Sequence, residues 1–198
     1  MTKKQKGMMD MANKTTRALT RDQYKEIIET IQQGFAGQLP NERVATALML
    51  EANLGLRISD VLQLRLCDII RDGERYRLDI IEQKTEKRRR FTVPAILYQF
   101  IENYCYRHGI GRAERIFPIT ARNVQIMLQR ACDYLGHEGI STHSFRKFYA
   151  TEIYNNSGYN IALVQHLLQH RSAATTQRYI GIEPREVEEA ILGHLQLL

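Results

Sequence analysis

The chain has 198 residues, of which 43% are hydrophobic and 25% charged, with only 12 Gly and 4 Pro; a collagenous, low-complexity or disordered chain is excluded and one domain with short appendages is expected. Lys and Arg outnumber Asp and Glu by 28 to 22, a formal charge of +6, which favours a polyanionic partner. Three widely spaced cysteines (Cys67, Cys105, Cys132) match neither a disulfide framework nor a C-x-x-C metal site, and no apolar run nears the ~18 residues of a membrane span, so the expectation is a soluble cytoplasmic protein without a membrane partner.

Residues 1–17 read as a flexible basic arm, with Lys3, Lys4, Lys6, Lys14 and Arg17 against Asp10. Thr20-x-x-Gln23 has the form of a capping box, and Ile27, Ile28 and Ile31 follow at helical spacing, predicting a first helix to about Gln33. Asn41 after Pro40 is a good N-cap for the apolar run Val44 to Leu50, and Gly55 stands where that helix would stop on a left-handed residue. Ser59 is then expected to cap a short helix through Val61, Leu62 and Leu64. Three β-rich segments come next, Cys67–Ile70, Tyr76–Glu82 and Arg89–Val93. Asp72-Gly73 signals a hairpin between the first two, and the second joins the third through a basic turn, Lys84-Thr85-Glu86-Lys87. From Pro94 the pattern is helical, with segments near 95–107, 121–135, 143–156, 161–169, 172–180 and 185–196. The predicted fold is mostly α with a small three-stranded antiparallel sheet (α+β).

Certain basic residues fall where a solvated face would not place them. Arg57 sits among Leu54, Leu56 and Ile58 at a helix junction, and a guanidinium withdrawn from water needs an anion. An ion pair with Asp60 or Glu51 is one way to supply it. His143 and Arg146 are three residues apart on one face, after Thr142 as a plausible helix cap, near a helix start that favours phosphate or carboxylate. His166 and His170 are spaced i, i+4 but lack the Glu of H-E-x-x-H and have no Cys nearby, so no metal is expected. Tyr179, nine residues after His170 in the polar stretch Thr175-Thr176-Gln177-Arg178, suits an exposed nucleophile better than a packed aromatic.

Together these pieces resemble the tyrosine recombinases, the phage integrase family. Leu54-Gly55-Leu56-Arg57-Ile58-Ser59-Asp60 is similar to the first Arg box, His143-Ser144-Phe145-Arg146 to the H-x-x-R box, and Leu167-Leu168-Gln169-His170 followed by Thr175-Thr176-Gln177-Arg178-Tyr179 to the L-G-H…T-x-x-Y segment. Lys84 matches the hairpin lysine, with Lys87 three residues on as the alternative. Gln169 replaces the usual Gly and is expected to tighten the approach to His170 without removing it. Phe145 replaces the usual Leu.

The resemblance implies a catalytic set of Arg57, Lys84, His143, Arg146, His170 and Tyr179, acting without metal, ATP or other cofactor. Arg57, Arg146 and His170 would hold the non-bridging phosphate oxygens, Tyr179 would attack phosphorus with His143 accepting its proton, and Lys84 would protonate the departing 5′ oxygen. The product would be a 3′-phosphotyrosyl link to DNA. Lys87, Arg88 and Arg90 are expected to bind phosphates of double-stranded DNA; Arg88, Arg89 and Arg90 alternate across a strand, so at least one points elsewhere. Family members commonly carry an N-terminal clamp domain that the residues before Thr20 cannot supply, so the expectation is a minimal member or an excised catalytic domain over 18–182. The acidic segment 183–198 is expected to form a helix, exchanged between protomers or folded back on its own domain, consistent with self-association as a dimer or tetramer on DNA and with accessory recombination proteins. Two other functions fit much of the same set: a type IB topoisomerase-like nicking-closing enzyme, and a non-catalytic DNA-binding regulator.

Overall fold

Short polar caps decide where the helices of the computed structural model begin. It describes residues 16–170 and 172–180. In α1 (Arg21–Gln33) the Thr20 hydroxyl accepts from the Gln23 N–H while the Gln23 side chain accepts from the Thr20 N–H, the predicted capping box. Its Ile27, Ile28 and Ile31 are buried. In α2 (Glu42–Leu54) Asn41 Oδ1 accepts from the Val44 N–H at 3.0 Å. This helix is buried along most of its length and packs against both α1 and α6 (Thr142–Asn156). It ends at Gly55 with φ +57°. A Cβ there would meet the Tyr149 ring at 2.3 Å, so both the backbone conformation and the space demand glycine.

Two caps differ from expectation. The short helix α3 spans Ile58–Val61, with Arg57 rather than Ser59 in the N-cap position and no side-chain cap bond; the turn is held by tertiary packing of Ile58 and Val61. At α6 the cap is Ser141, which pairs reciprocally with Ser144, not Thr142. Ser141 has the extended backbone a cap requires, whereas Thr142 is already helical.

The sheet has strand order β1-β2-β3, antiparallel throughout, with β1 Ile69–Asp72, β2 Arg75–Ile81 and β3 Arg88–Val93. Cys67 and Asp68, the start of the first expected strand, belong instead to a 3-10 turn over Leu66–Asp68, so β1 begins two residues later than predicted. Leu78 is fully buried between Ile69 and Phe91 on its neighbours. Helices α4 (Ala95–Arg107), α5 (Ala121–Leu135), α6, α7 (Ile161–Leu168) and α8 (Ala173–Ile180) complete the order. One large apolar core joins α1 to α6 and the sheet. A much smaller one, built on Ala150, Val164 and Leu168, carries α7 and α8 with Tyr179 and Ile180 against it. The expected arm lies outside the described residues except for Thr16 and Arg17, and the expected helix at 183–198 lies outside them altogether.

Candidate active site

The end of α2, the β2–β3 turn and the start of α6 meet around one buried carboxylate. Glu82, the residue after β2, has no exposed surface. Its Oε2 accepts from Arg57 Nη1 at 2.7 Å and its Oε1 from Arg89 Nη1 at 2.9 Å, with Arg146 Nη1 4.0 Å away. Burial alone would push this carboxyl up, but the hydrogen bonds from Arg57, Arg89 and Thr85 outweigh it and hold it at about 2. Arg57 therefore finds its nearest anion in Glu82, from another element, while the expected pair with Asp60 is present but longer, at 3.9 Å to Oδ2.

Arg89 and Arg146 are both nearly inaccessible, at 2% and 1% exposure. Backbone carbonyls hold them: Arg89 donates to Leu54 O at 3.3 Å and Gly55 O at 3.2 Å, and Arg146 donates to Gly55 O at 2.7 Å and Leu168 O at 3.2 Å. A sharp stop on α2 thus aims one carbonyl at two guanidiniums. Beneath them Glu51, also buried, leaves Oε2 without a hydrogen-bond partner among the described residues. Burial raises its carboxyl well above the usual range, against the pull of Arg146.

Tyr179 completes the cluster from α8. Its hydroxyl is 3.4 Å from His143 Nδ1, and its ring lies edge-on to His143 at 5.0 Å and His170 at 4.9 Å between centroids. Lys147 Nζ stands 5.6 Å from the centre of the same ring and donates to Thr16 O. Partial burial, then the charges of Arg146 and Lys147, lower His143 to about 4; burial and the nearby arginines do the same to His170. Burial pushes Tyr179 up to about 12, opposed by Arg146. At neutral pH the geometry therefore sets a protonated phenol against a neutral imidazole.

His170 Nδ1 is 3.1 Å from Thr176 Oγ1, which orients the ring, and Nε2 makes no hydrogen bond among the described residues. Gln169 before it has φ +54°, the left-handed stop of α7, which explains why glycine suits that position. Its side chain turns to β3, where Nε2 donates to Arg88 O at 3.2 Å, so His170 keeps its place.

Five of the six predicted catalytic residues, Arg57, His143, Arg146, His170 and Tyr179, are thus brought together. Lys84 stands exposed on the turn two residues after Glu82 and makes no hydrogen bond or ion pair among the described residues. Lys87, Arg88 and Arg90 line a cleft of about 860 Å³ between β3 and α7, shared with His166 and His170. Asp79 engages Arg88 through both carboxylate oxygens at 2.7 Å and Arg90 at 2.8 Å, and the Arg88 pair foremost holds it at about 2. The inward member of the Arg run is Arg89. Sequence reasoning missed it and Glu82 as site residues; the period-2 alternation about Leu78 was the available signal. Among the described residues no group of three or more His, Cys, Asp or Glu is placed to hold a metal ion, and no helix is long and apolar enough to cross a membrane.

The sequence profile of the Phage integrase family matches residues 17–186. The chain belongs to the phage integrase family. Among its relatives within that family, the probable integrase/recombinase YoeC of Bacillus subtilis is 32% identical over 165 residues, covering 80% of this chain and 87% of YoeC. The tyrosine recombinase XerC of Caldanaerobacter subterraneus is 26% identical over 87% of this chain but only 49% of its own length. The chain spans about half to two thirds of several such Xer recombinases. In fold it is similar to the catalytic domain of bacteriophage HP1 integrase, with TM-score 0.63 and 18% identity over 90% of this chain and 95% of that one. It is also similar to XerH site-specific recombinase in a pre-cleavage complex with difH, with TM-score 0.66 and 20% identity over 90% of this chain and 54% of XerH.

Proposed function

We propose that this phage integrase family chain cleaves and rejoins double-stranded DNA as the catalytic part of a site-specific recombinase, with Tyr179 as the nucleophile. The observation that carries the reading is the Tyr179 hydroxyl 3.4 Å from a neutral His143 and beside the Arg57, Arg89 and Arg146 cluster. Tyr179 Oη attacks phosphorus as its proton passes to His143 Nδ1; the bond from phosphorus to O5′ breaks, and Lys84 supplies the proton to O5′. Because the phenol sits near 12, free phenolate is scarce, so the proton leaves as the new bond forms. Arg57, Arg146 and His170 Nε2 donate to the non-bridging oxygens, where preformed cations need no reorganisation as charge develops. The phosphotyrosyl product keeps a phosphate ester bond, so the step calls on no ATP. Lys87, Arg88 and Arg90 extend the contact along the DNA backbone, and recombination between two duplexes calls for more than one copy of the chain.

Incubation with a nicked half-site, which traps the adduct by losing the 5′ fragment, tests the reading. Wild type is expected to give a covalent complex on a denaturing gel, and Tyr179→Phe none while its DNA affinity is retained. An adduct that persists in Tyr179→Phe overturns the assignment. Relaxation of supercoiled plasmid lacking any specific site would favour a nicking-closing enzyme instead.

A further inference from the structure

Glu82 does more than neutralise a buried arginine. Arg89 already has two carbonyl acceptors, and it engages only Oε1 of Glu82. The other oxygen, Oε2, takes Arg57 Nη1 at 2.7 Å and the Thr85 hydroxyl at 2.8 Å. Thr85 belongs to the turn and directly follows Lys84. The backbone closes the same loop, with Glu82 N–H donating to Lys87 O at 3.0 Å and Glu86 N–H to Glu82 O at 2.9 Å. Asp60 Oδ1 accepts the Gln83 N–H at 2.9 Å. Glu86 within this loop has φ +55°, a conformation that persists only where surrounding bonds over-determine it.

We propose that Glu82 is a positioning residue that ties the Lys84 turn to the arginine site through Thr85. One carboxylate then sets both the guanidinium that grips the phosphate and the ammonium that protonates the leaving oxygen. The proposal rests on the recombinase reading for the role of Lys84, while the Glu82–Thr85 tether stands on the contacts alone. Without the tether Lys84 keeps its charge and chemistry but samples many positions, and misplacement of about 1 Å costs on the order of 100-fold in rate.

The test uses Thr85→Val, which cuts the tether and leaves the Arg57–Glu82–Arg89 contacts in place, alongside Glu82→Gln. Single-turnover cleavage is measured on the nicked half-site and on the same DNA with sulfur replacing the bridging 5′ oxygen. A thiol of pKa about 8.5 departs as thiolate without a proton donor. Thr85→Val is expected to cleave ordinary DNA on the order of 100-fold more slowly than wild type, and the sulfur substrate at close to the wild-type rate. Equal loss on both substrates, or no loss on either, overturns the proposal. Trypsin cleavage after Lys84 and Lys87 in the protein alone provides a readout free of the chemistry. It should accelerate in Thr85→Val with cleavage elsewhere unchanged, and an unchanged rate refutes the tether even where Glu82→Gln fails to fold. If wild type forms no adduct on either DNA, the recombinase reading fails, and the tryptic rates decide whether the tether exists.

Discussion

Tyr179 and His143 are tuned in opposite directions, and the pH dependence of the site follows from that. Since His143 titrates near 4 rather than 6.5, the acid limb of a single-turnover cleavage profile should fall near pH 4, with a flat rate from pH 6 to 8. Stability carries a related sign: between about pH 6.5 and 4 the unfolded chain binds protons at His143 and His170 that the folded chain refuses, so the fold weakens as pH drops through that window. Glu51 works the other way. Its folded value is raised, so the stability it contributes is fully present below its unfolded value and is lost as pH rises through the folded one. Glu51→Gln should therefore melt a few degrees above wild type at pH 8, where about 1 kcal/mol moves Tm by roughly 2–4 °C, and the gap should close at pH 4. Arg57, His143, Arg146, His170 and Tyr179 were legible because each sits at a helix boundary within a short motif. Glu82 was not, because a lone carboxylate at a strand end acquires meaning only when Arg57, 25 residues earlier, folds onto it.

At the scale of elements, the nucleophile rides on the weaker of two cores. Helices α7 and α8 rest on Ala150, Val164 and Leu168 with half-buried neighbours, whereas α2 is enclosed on most sides. Small cores open at lower free energy, so amides of α7 and α8 should exchange with deuterium well before those of α2, a difference that hydrogen-exchange mass spectrometry resolves. At the other end of the site, Gly55→Ala places a methyl into the Tyr149 ring at φ +57°, and urea unfolding should show a loss of roughly 3 kcal/mol. Helix positions were readable from apolar spacing and from Thr20 and Asn41, whose side chains face their own backbone. Ser59 and Thr142 misled, since a cap is defined by its extended backbone and not by its hydroxyl; tertiary packing puts both residues already inside the helix.

For the whole molecule, the +6 charge is less available than its count suggests. Asp79 occupies both Arg88 and Arg90 on the rim of the cleft between β3 and α7. Asp79→Asn releases them and should tighten non-specific DNA binding several-fold at low salt, with the gain shrinking as salt rises. Replacing Lys87, Arg88 and Arg90 together by Gln should instead flatten the slope of log affinity against log salt by up to about 3. Composition alone pointed to a polyanion. It was silent on which cations are spoken for, because that depends on strand register placing Asp79 opposite Arg90.

The carbonyls of Leu54, Gly55 and Leu168 satisfy Arg89 and Arg146 without cancelling their charge. One carboxylate, Glu82, lies within 4.0 Å of both guanidiniums, so the pair keeps a surplus of positive charge, and that surplus does not distinguish a phosphodiester from a free tetrahedral oxyanion. Sulfate or inorganic phosphate in the buffer should therefore act as a competitive inhibitor, depressing apparent DNA affinity below that in chloride at equal ionic strength. The choice of buffer becomes a probe of the arginine cluster.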